Sequence, residues 1–481
     1  MGVLSNLSPK AVFDYFEALC AVPHGSGNTR QISDLCVSFA RELGLRYRQD
    51  ELNNVVIWKD ASPGYEKAPV VMLQGHMDMV CAKAPDCKKD MAREGLDVRT
   101  DGEWVWADGT TLGGDDGIAV AMILAILADD TLAHGPIEAV FTVDEETGMY
   151  GAAGLDCSDL QAEMLLNLDS EAEGVFTVGC AGGMRADCRI DANPTDADGD
   201  AFTLTLSGLT GGHSGTEIDK GRLSANEGIL RVLCAGAEQF PGLRLAAMEG
   251  GKVDNAICLH AAATVVVPHG AAADFPHFVA AWQETLQNEF AVTEPGLSLT
   301  CAAAAADKAL TAADTLRILR CFFALPQGVQ AMSRDVPGLV QTSLNMGVLR
   351  LDDRGAEASF SIRSGVESQK QWLLHKLTAL LALSGGTVTT HGDYPGWQFR
   401  RQSPLRDALT AAYRQQTGRE PVIETIHAGL ECGLFIGKLP RLDAVSIGPD
   451  LRHIHTCQER LGVASVARLY DLVCRTLEGL K

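Results

Sequence analysis

The 481-residue chain is long enough for roughly three domains of ordinary size, and its 46% hydrophobic and 21% charged content excludes a stapled miniprotein, a fibrous chain and a disordered one. Asp+Glu 62 against Lys+Arg 40 gives a formal charge of −22, a field that repels phosphate backbones and anionic headgroups and so argues against nucleic acid or membrane as a partner. The longest apolar run, Ile118 to Ala128, falls short of the roughly 18 residues of a membrane span. The N-terminus carries no basic leader with an apolar block, and fourteen cysteines scattered without a CxxC pair read as buried thiols in a reducing, cytoplasmic setting.

The first 180 residues alternate helix-like and strand-like patterns, the signature of a mostly parallel sheet covered by helices, an α/β fold. SPKAVFDYFEALCAV starts at a Ser-Pro cap signal, and TRQISDLCVSFARELG carries an apolar stripe that stops at Gly44; both predict helices. Strand-length apolar runs follow in NNVVIWK, APVVMLQ, PIEAVFTVD and EMLLNLD, while DDGIAVAMILAILADD predicts a helix apolar on nearly every side and therefore sandwiched. From about Met184 the texture becomes strand-helix in two similar rounds. AFTLTLSGL, AICLHAAATVVVP, LSLTCAAAA, TSLNMGVLRLDD and EASFSIRSG read as strands, interleaved with four helical segments, and this predicts an α+β domain. The βαβ texture returns near Trp397, with a helix over RQSPLRDALTAAYRQQTG, a strand at LDAVSIGPD and a closing helix over SVARLYDLVCRTLEGL. The second domain is therefore read as inserted into the first, with 1–184 and 396–481 forming the catalytic domain and 185–395 the insertion.

Chemistry-bearing residues cluster where the strands end. APVVMLQ runs into Gly75-His76-Met77-Asp78, and because alternate strand residues share a face, Asp78 can hold the second nitrogen of His76. Gly113-Gly114-Asp115-Asp116-Gly117 opens the apolar helix. PIEAVFTVD ends in Asp144-Glu145-Glu146, where neighbours diverge, so one glutamate can bind a metal while the other faces a water. EMLLNLD stops at Asp169, and LDAVSIGPDLRHIH supplies His453 and His455. Singly, each motif also fits an ordinary role as solvated loop, helix cap or acidic turn. Together, His76, Glu145 with Glu146, Asp169 and His455 all fall just after an apolar strand, at the carboxyl ends where open α/β sheets bind ligands. Two imidazoles and three carboxylates without cysteine suit a pair of cations such as Zn²⁺, with Mn²⁺ or Co²⁺ as alternatives, and Asp115 could bridge them. Asp115, Glu146 and Asp169 bring −3 against +4, which leaves room for a hydroxide; two metals about 3.5–4 Å apart would generate that nucleophile near neutral pH.

The order HMDMV, GGDDG, DEETGMYGA, NLDSE and HIH resembles the M20 di-zinc metallopeptidases. The added length and the GGHSG and GGKVDNAI segments resemble the family's Xaa-His dipeptidase subgroup, over essentially the whole chain. The resemblance implies that His76, Asp115 and Asp169 hold one metal and that Asp115, Glu146 and His455 hold the other. Glu145 would be the general base, Asp78 would orient His76, and the Asp115-Asp116 bond would be cis. The insertion would be a lid in which His213 stabilises the oxyanion while Asn255 and Arg363 hold the substrate's carbonyl and terminal carboxylate. Gly429, within the His427 to Gly433 segment, would help build the substrate floor, a stretch where His427 and Glu431 imitate ligands. Turn and surface salt-bridge roles remain the ordinary alternatives for His213 and Arg363. The implied activity is cleavage of dipeptides with a free amino terminus, with an M20 amidohydrolase acting on N-acyl amino acids as the alternative, in a monomer or homodimer.

Overall fold

The run Val71–His76 is buried along its whole length, as befits a strand covered on both faces, and it lies within an eight-stranded sheet. In order across that sheet come Arg46–Gln49, Val55–Lys59, Ile137–Thr142, Val71–His76, Met164–Asn167, Asp443–Ser446, Val175–Cys180 and Val422–Ile426. The four central strands are mutually parallel. Antiparallel partners flank them on both sides, so the sheet is mixed, with its parallel part at the centre where the βαβ pattern is legible. In this computed structural model, which describes residues 2–481, the chain divides into two compact units. One comprises Met1–Cys180, Trp397–Thr425 and Leu430–Lys481, the other Ala181–Gly396 and Ile426–Gly429. Ile426–Gly429 joins the second unit because the Ala181 amide donates to the carbonyls of Ile426 and Ala428.

In the first unit the apolar segment forms the helix Gly114–Ala128, buried on nearly all sides between Lys10–Cys20 and the strand Val71–His76. Gly75 permits that approach: a Cβ there would lie 2.6 Å from Asp116 Oδ2 and 2.9 Å from the Ala119 methyl. A separate four-stranded antiparallel sheet orders Leu451–Arg452, Arg460–Gly462, Trp104–Ala107 and Val98–Thr100.

The second unit is built on an antiparallel sheet. Its main path runs Ser298–Ala304, Asp200–Ser207, Ala261–Val267, Arg244–Gly250, Val340–Asp352, Gly355–Ser364, Gly182–Asp191 and Thr387–Tyr394, and Gly328–Met332 pairs with Val340–Asp352. The helices Ala225–Gln239, Phe275–Glu289, Ala312–Ala324 and Glu367–Leu383 supply the apolar side chains that close its core. AICLHAAATVVVP, expected as one strand, is two, because Ala256–Ile257 pairs with Gly212–His213 whereas Ala261–Val267 pairs with Asp200–Leu206. Among the described residues no helix is long and apolar enough to cross a membrane, and all fourteen cysteines are free.

Candidate metal centre

Parallel registry brings the polar strand ends together. His76 stands opposite Thr142, and Gln74 opposite Asn167. Residues two positions before the metal-site candidates share their face of the strand, and they build a buried polar layer. Gln74 Nε2 donates to Glu431 Oε2 at 2.6 Å, the Thr142 hydroxyl donates to the same oxygen at 2.7 Å, and Asn167 Nδ2 donates to Gln74 Oε1 at 2.6 Å. Burial, reinforced by Glu145, pushes Glu431 up to about 8.

Beyond this layer five metal-site candidates converge. His76 Nε2 lies 3.3 Å from Asp115 Oδ1 and 3.5 Å from Asp169 Oδ1. His455 Nε2 lies 3.2 Å from the other Asp115 oxygen and 2.9 Å from Glu146 Oε1. Asp115 thus shows one oxygen to each imidazole, because its backbone leaves the helix: φ/ψ is −86°/101° at Asp115 and −120°/27° at Asp116. The Asp115-Asp116 bond is cis. The donor set fits a metal on an observation of its own. Glu146 Oε1 is buried without a hydrogen-bond partner although His455 Nε2 lies 2.9 Å away, an orphaned carboxylate oxygen that a shared ion would satisfy. His76, Asp115 and Glu146 offer donor atoms within 4.8 Å of one another, as do His76, Asp116 and Asp169. Neither group contains His427 or Glu431.

The electrostatics are those of carboxylates crowded together and short of positive charge. Burial together with neighbouring carboxylates lifts Glu145 to about 8 and Asp169 to about 7. Burial opposes charge on His76, but Asp169, Asp115 and Asp78 outweigh it and hold the imidazole well above its ordinary value. The Asp115 and Glu146 carboxylates beside it raise His455 to about 10. A cation among these groups would relieve the same imbalance.

Asp78 ties the strand end to the base. The His76 Nδ1 is 3.0 Å from the Asp78 backbone carbonyl and 3.5 Å from its carboxylate. That carboxylate accepts the Glu145 amide at 3.1 Å and the Ser26 hydroxyl at 2.8 Å. Asp78 therefore holds His76 through its main chain and the Glu145 turn through its side chain.

The second unit has its own polar cluster. His213 Nδ1 accepts the amides of Gly215 and Thr216 at 3.3 and 3.2 Å, which leaves the proton on Nε2. Burial and the Arg363 charge hold this ring below its ordinary pKa. Arg363 is buried, with one nitrogen 3.3 Å from the Tyr394 hydroxyl and its Nε without a partner. His427 Nε2 meets the Ser343 hydroxyl at 2.7 Å, and burial with the Arg363 charge pushes it down to about 3. Asn255 is exposed, its carbonyl accepting the Ser214 amide, and Gly429 is half-buried.

Several participants escape sequence reasoning. Gln74 and Asn167 could have been found, since a polar residue two positions before a strand-end candidate shares its buried face. Ser26 and Glu459 could not, because their contacts lie 52 and some 345 residues away along the chain.

The family model described as Peptidase family M20/M25/M40 matches residues 72–479. The cytosol non-specific dipeptidase of Escherichia coli is 40% identical over 481 residues, covering 99% of both chains. The crystal structure of aminoacylhistidine dipeptidase from Vibrio alginolyticus superposes with a TM-score of 0.94 at 37% identity, covering 99% of this chain and 98% of that one. Aminopeptidase PepT from Bacillus cereus matches with a TM-score of 0.57 at 16% identity, covering 98% and 99% of the two chains, a likeness of fold alone.

Proposed function

From the premise that the chain belongs to the M20/M25/M40 peptidase family, we propose that it is a metallodipeptidase that cleaves the peptide bond of dipeptides with a free amino terminus, Xaa-His dipeptides included. That it hydrolyses peptide bonds follows from the family; the dipeptide substrate is inferred from two relatives that match nearly its whole length. The observation that carries the reading is the Asp115 carboxylate, which offers one oxygen to each of two imidazoles.

In this assignment His76, Asp115 and Asp169 would hold one divalent ion and Asp115, Glu146 and His455 the other, Zn²⁺ first, with Mn²⁺ or Co²⁺ as substitutes. Such ions supply the Lewis acidity that polarises the scissile carbonyl and acidifies water. Glu145 takes the proton of the attacking water and passes it to the leaving amine. Its turn is kept in place by the Asp78 carboxylate. His213, a neutral imidazole with its proton on Nε2, donates to the carbonyl oxygen as charge develops there. Arg363, with its nitrogens free of any ion pair among the described residues, takes the terminal carboxylate as a fork. Asn255 and Gly429 contact the substrate's main chain.

The test is a substrate panel with elemental analysis. Purified protein should carry about two divalent ions per chain and hydrolyse Xaa-His and other dipeptides, and a chelator should abolish this. Preference for N-acetyl amino acids over dipeptides would replace the dipeptidase reading by an acyl-amino-acid hydrolase.

A further inference from the structure

We propose that Glu459 is a positioning residue for the metal centre, holding the turn that presents Asp115 at a set distance from the loop that presents His455. The inference rests on the metal-centre reading above and adds a residue outside both candidate ligand groups.

The turn Leu112–Asp115 has the shape of an anion cradle. Gly113 is in the left-handed region, φ 66° and ψ 30°, a conformation glycine adopts without strain and one that makes successive amides converge on a common point. Glu459 fills that point. Its Oε2 accepts the amides of Leu112 at 2.8 Å and Gly113 at 3.2 Å, while Oε1 accepts those of Gly114 at 2.8 Å and Asp115 at 3.4 Å. The side chain is 2% exposed. Four consecutive amides thus close on one carboxylate, and the last of them belongs to the residue whose two oxygens face the two imidazoles.

The other end of Glu459 is equally fixed. Its amide donates to the Thr456 carbonyl at 3.1 Å, and the strand that follows it pairs Leu461 with both Leu451 and Val105. His455 sits in the same loop, between Leu451–Arg452 and Arg460–Gly462. One side chain therefore spans from the His455 loop to the Asp115 backbone, and it would set the separation between these two candidate ligands.

A buried glutamate that merely clamps a loop is available for comparison. Glu138, 3% exposed, accepts the amides of Gln161 and Ala162 at 2.8 and 3.0 Å, and neither amide belongs to a candidate ligand. Glu459→Gln replaces one accepting oxygen with an NH₂ group that faces amide donors; Glu138→Gln does the same where no ligand is held. The full-length protein, loaded with Zn²⁺ or with Mn²⁺, is equilibrated against graded chelator, its retained metal is counted by elemental analysis, and the thermal midpoint of the stripped protein is recorded. Glu459→Gln should release both ions at about 10–100-fold lower chelator concentration than wild type, the range typical of lost support behind metal ligands. Glu138→Gln should lower the thermal midpoint and leave metal retention unchanged. Wild-type retention by Glu459→Gln, or equal shifts in retention by both variants, would overturn the positioning role. If Glu459→Gln does not fold, Glu459→Asp is judged by the same retention criterion, since it keeps the charge but cannot reach all four amides. Absence of stoichiometric metal from the wild type would instead overturn the metal-centre reading itself.

Discussion

The two units concentrate opposite electrostatic needs. At the parallel strand ends of the first, Asp115, Asp116, Glu145, Glu146 and Asp169 crowd around two imidazoles, and acids such as Glu145 and Asp169 are forced upward, to about 8 and about 7. In the second, Arg363 is buried with an unpartnered nitrogen, while His427 beside its field is forced down to about 3. Burial drives both, raising acids and lowering bases, and the neighbours reinforce it: carboxylates around Glu145 and Asp169, Arg363 beside His427. A cluster that lifts its acids asks for a cation; one that depresses its bases asks for an anion.

Removing the shared carboxylate breaks the comparison most severely. If Asp115 bridges two ions as proposed, Asp115→Ala should lose both ions and all measurable activity, because one side chain would serve two coordination shells, whereas His455→Ala should retain about one ion. Elemental analysis of the two purified variants decides it: two tightly held ions in Asp115→Ala would show that the bridge lies elsewhere. Glu145→Gln tests the same cluster without disturbing its ions. Its kcat should fall by about 10²–10⁴-fold with metal content still near two, and activity within tenfold of wild type would take the base away from Glu145.

On the other side of the comparison, Arg363→Ala should reduce kcat/KM on dipeptides by about 10–150-fold, the equivalent of about 1.5–3 kcal/mol for a charge-assisted hydrogen bond. Dipeptide amides, which lack the carboxylate, should be nearly unaffected by the substitution and poor substrates for the wild type. Equal losses on both would make Arg363 a structural residue.

What was legible in the sequence follows from how each element earns its burial. Helices with an apolar stripe or an all-apolar body, such as Arg30–Glu42 and Gly114–Ala128, announce themselves, as do central strands such as Ile137–Thr142 that are buried throughout. The metal-site candidates were visible for the same reason, each being a polar residue at or near the end of such a run. Thr387–Tyr394 gave no such signal: it is exposed at most positions and takes its place through pairing with Gly182–Asp191, so no apolar alternation marks it. Val422–Ile426 is similar, lying at the sheet's rim. Contacts made only in three dimensions were equally hidden. Nothing local in HIHTCQE tells that Glu459 will meet the amides of Leu112–Asp115, and nothing in AGLECG places Glu431 under the strand ends with Gln74 and Thr142.

The smallest effect expected at pH 8 concerns His427, and it asks whether the second cluster is tuned against positive charge even without substrate. The imidazole is 6% exposed and paired with the Ser343 hydroxyl. Burial first, and Arg363 second, depress it from 6.5 to about 3. The unfolded chain therefore binds a proton at this site at higher pH than the folded one does. The contribution to stability is whole above pH 6.5, declines as the pH falls, and is gone below about 3. A displacement of that size corresponds to at most about 4–5 kcal/mol, since each pKa unit is worth about 1.4 kcal/mol. His427→Gln keeps a hydrogen-bonding partner for Ser343 and removes the titration. At pH 8 the variant should be modestly less stable, by about 1 kcal/mol for an imperfectly replaced hydrogen bond. Between pH 6.5 and 4 the gap should close and then reverse, because only the wild type pays to keep its ring uncharged. Thermal melts of both proteins across that range, compared at equal metal loading, provide the measurement. Parallel curves would mean that the ring becomes charged without penalty, so that neither burial nor Arg363 depresses it.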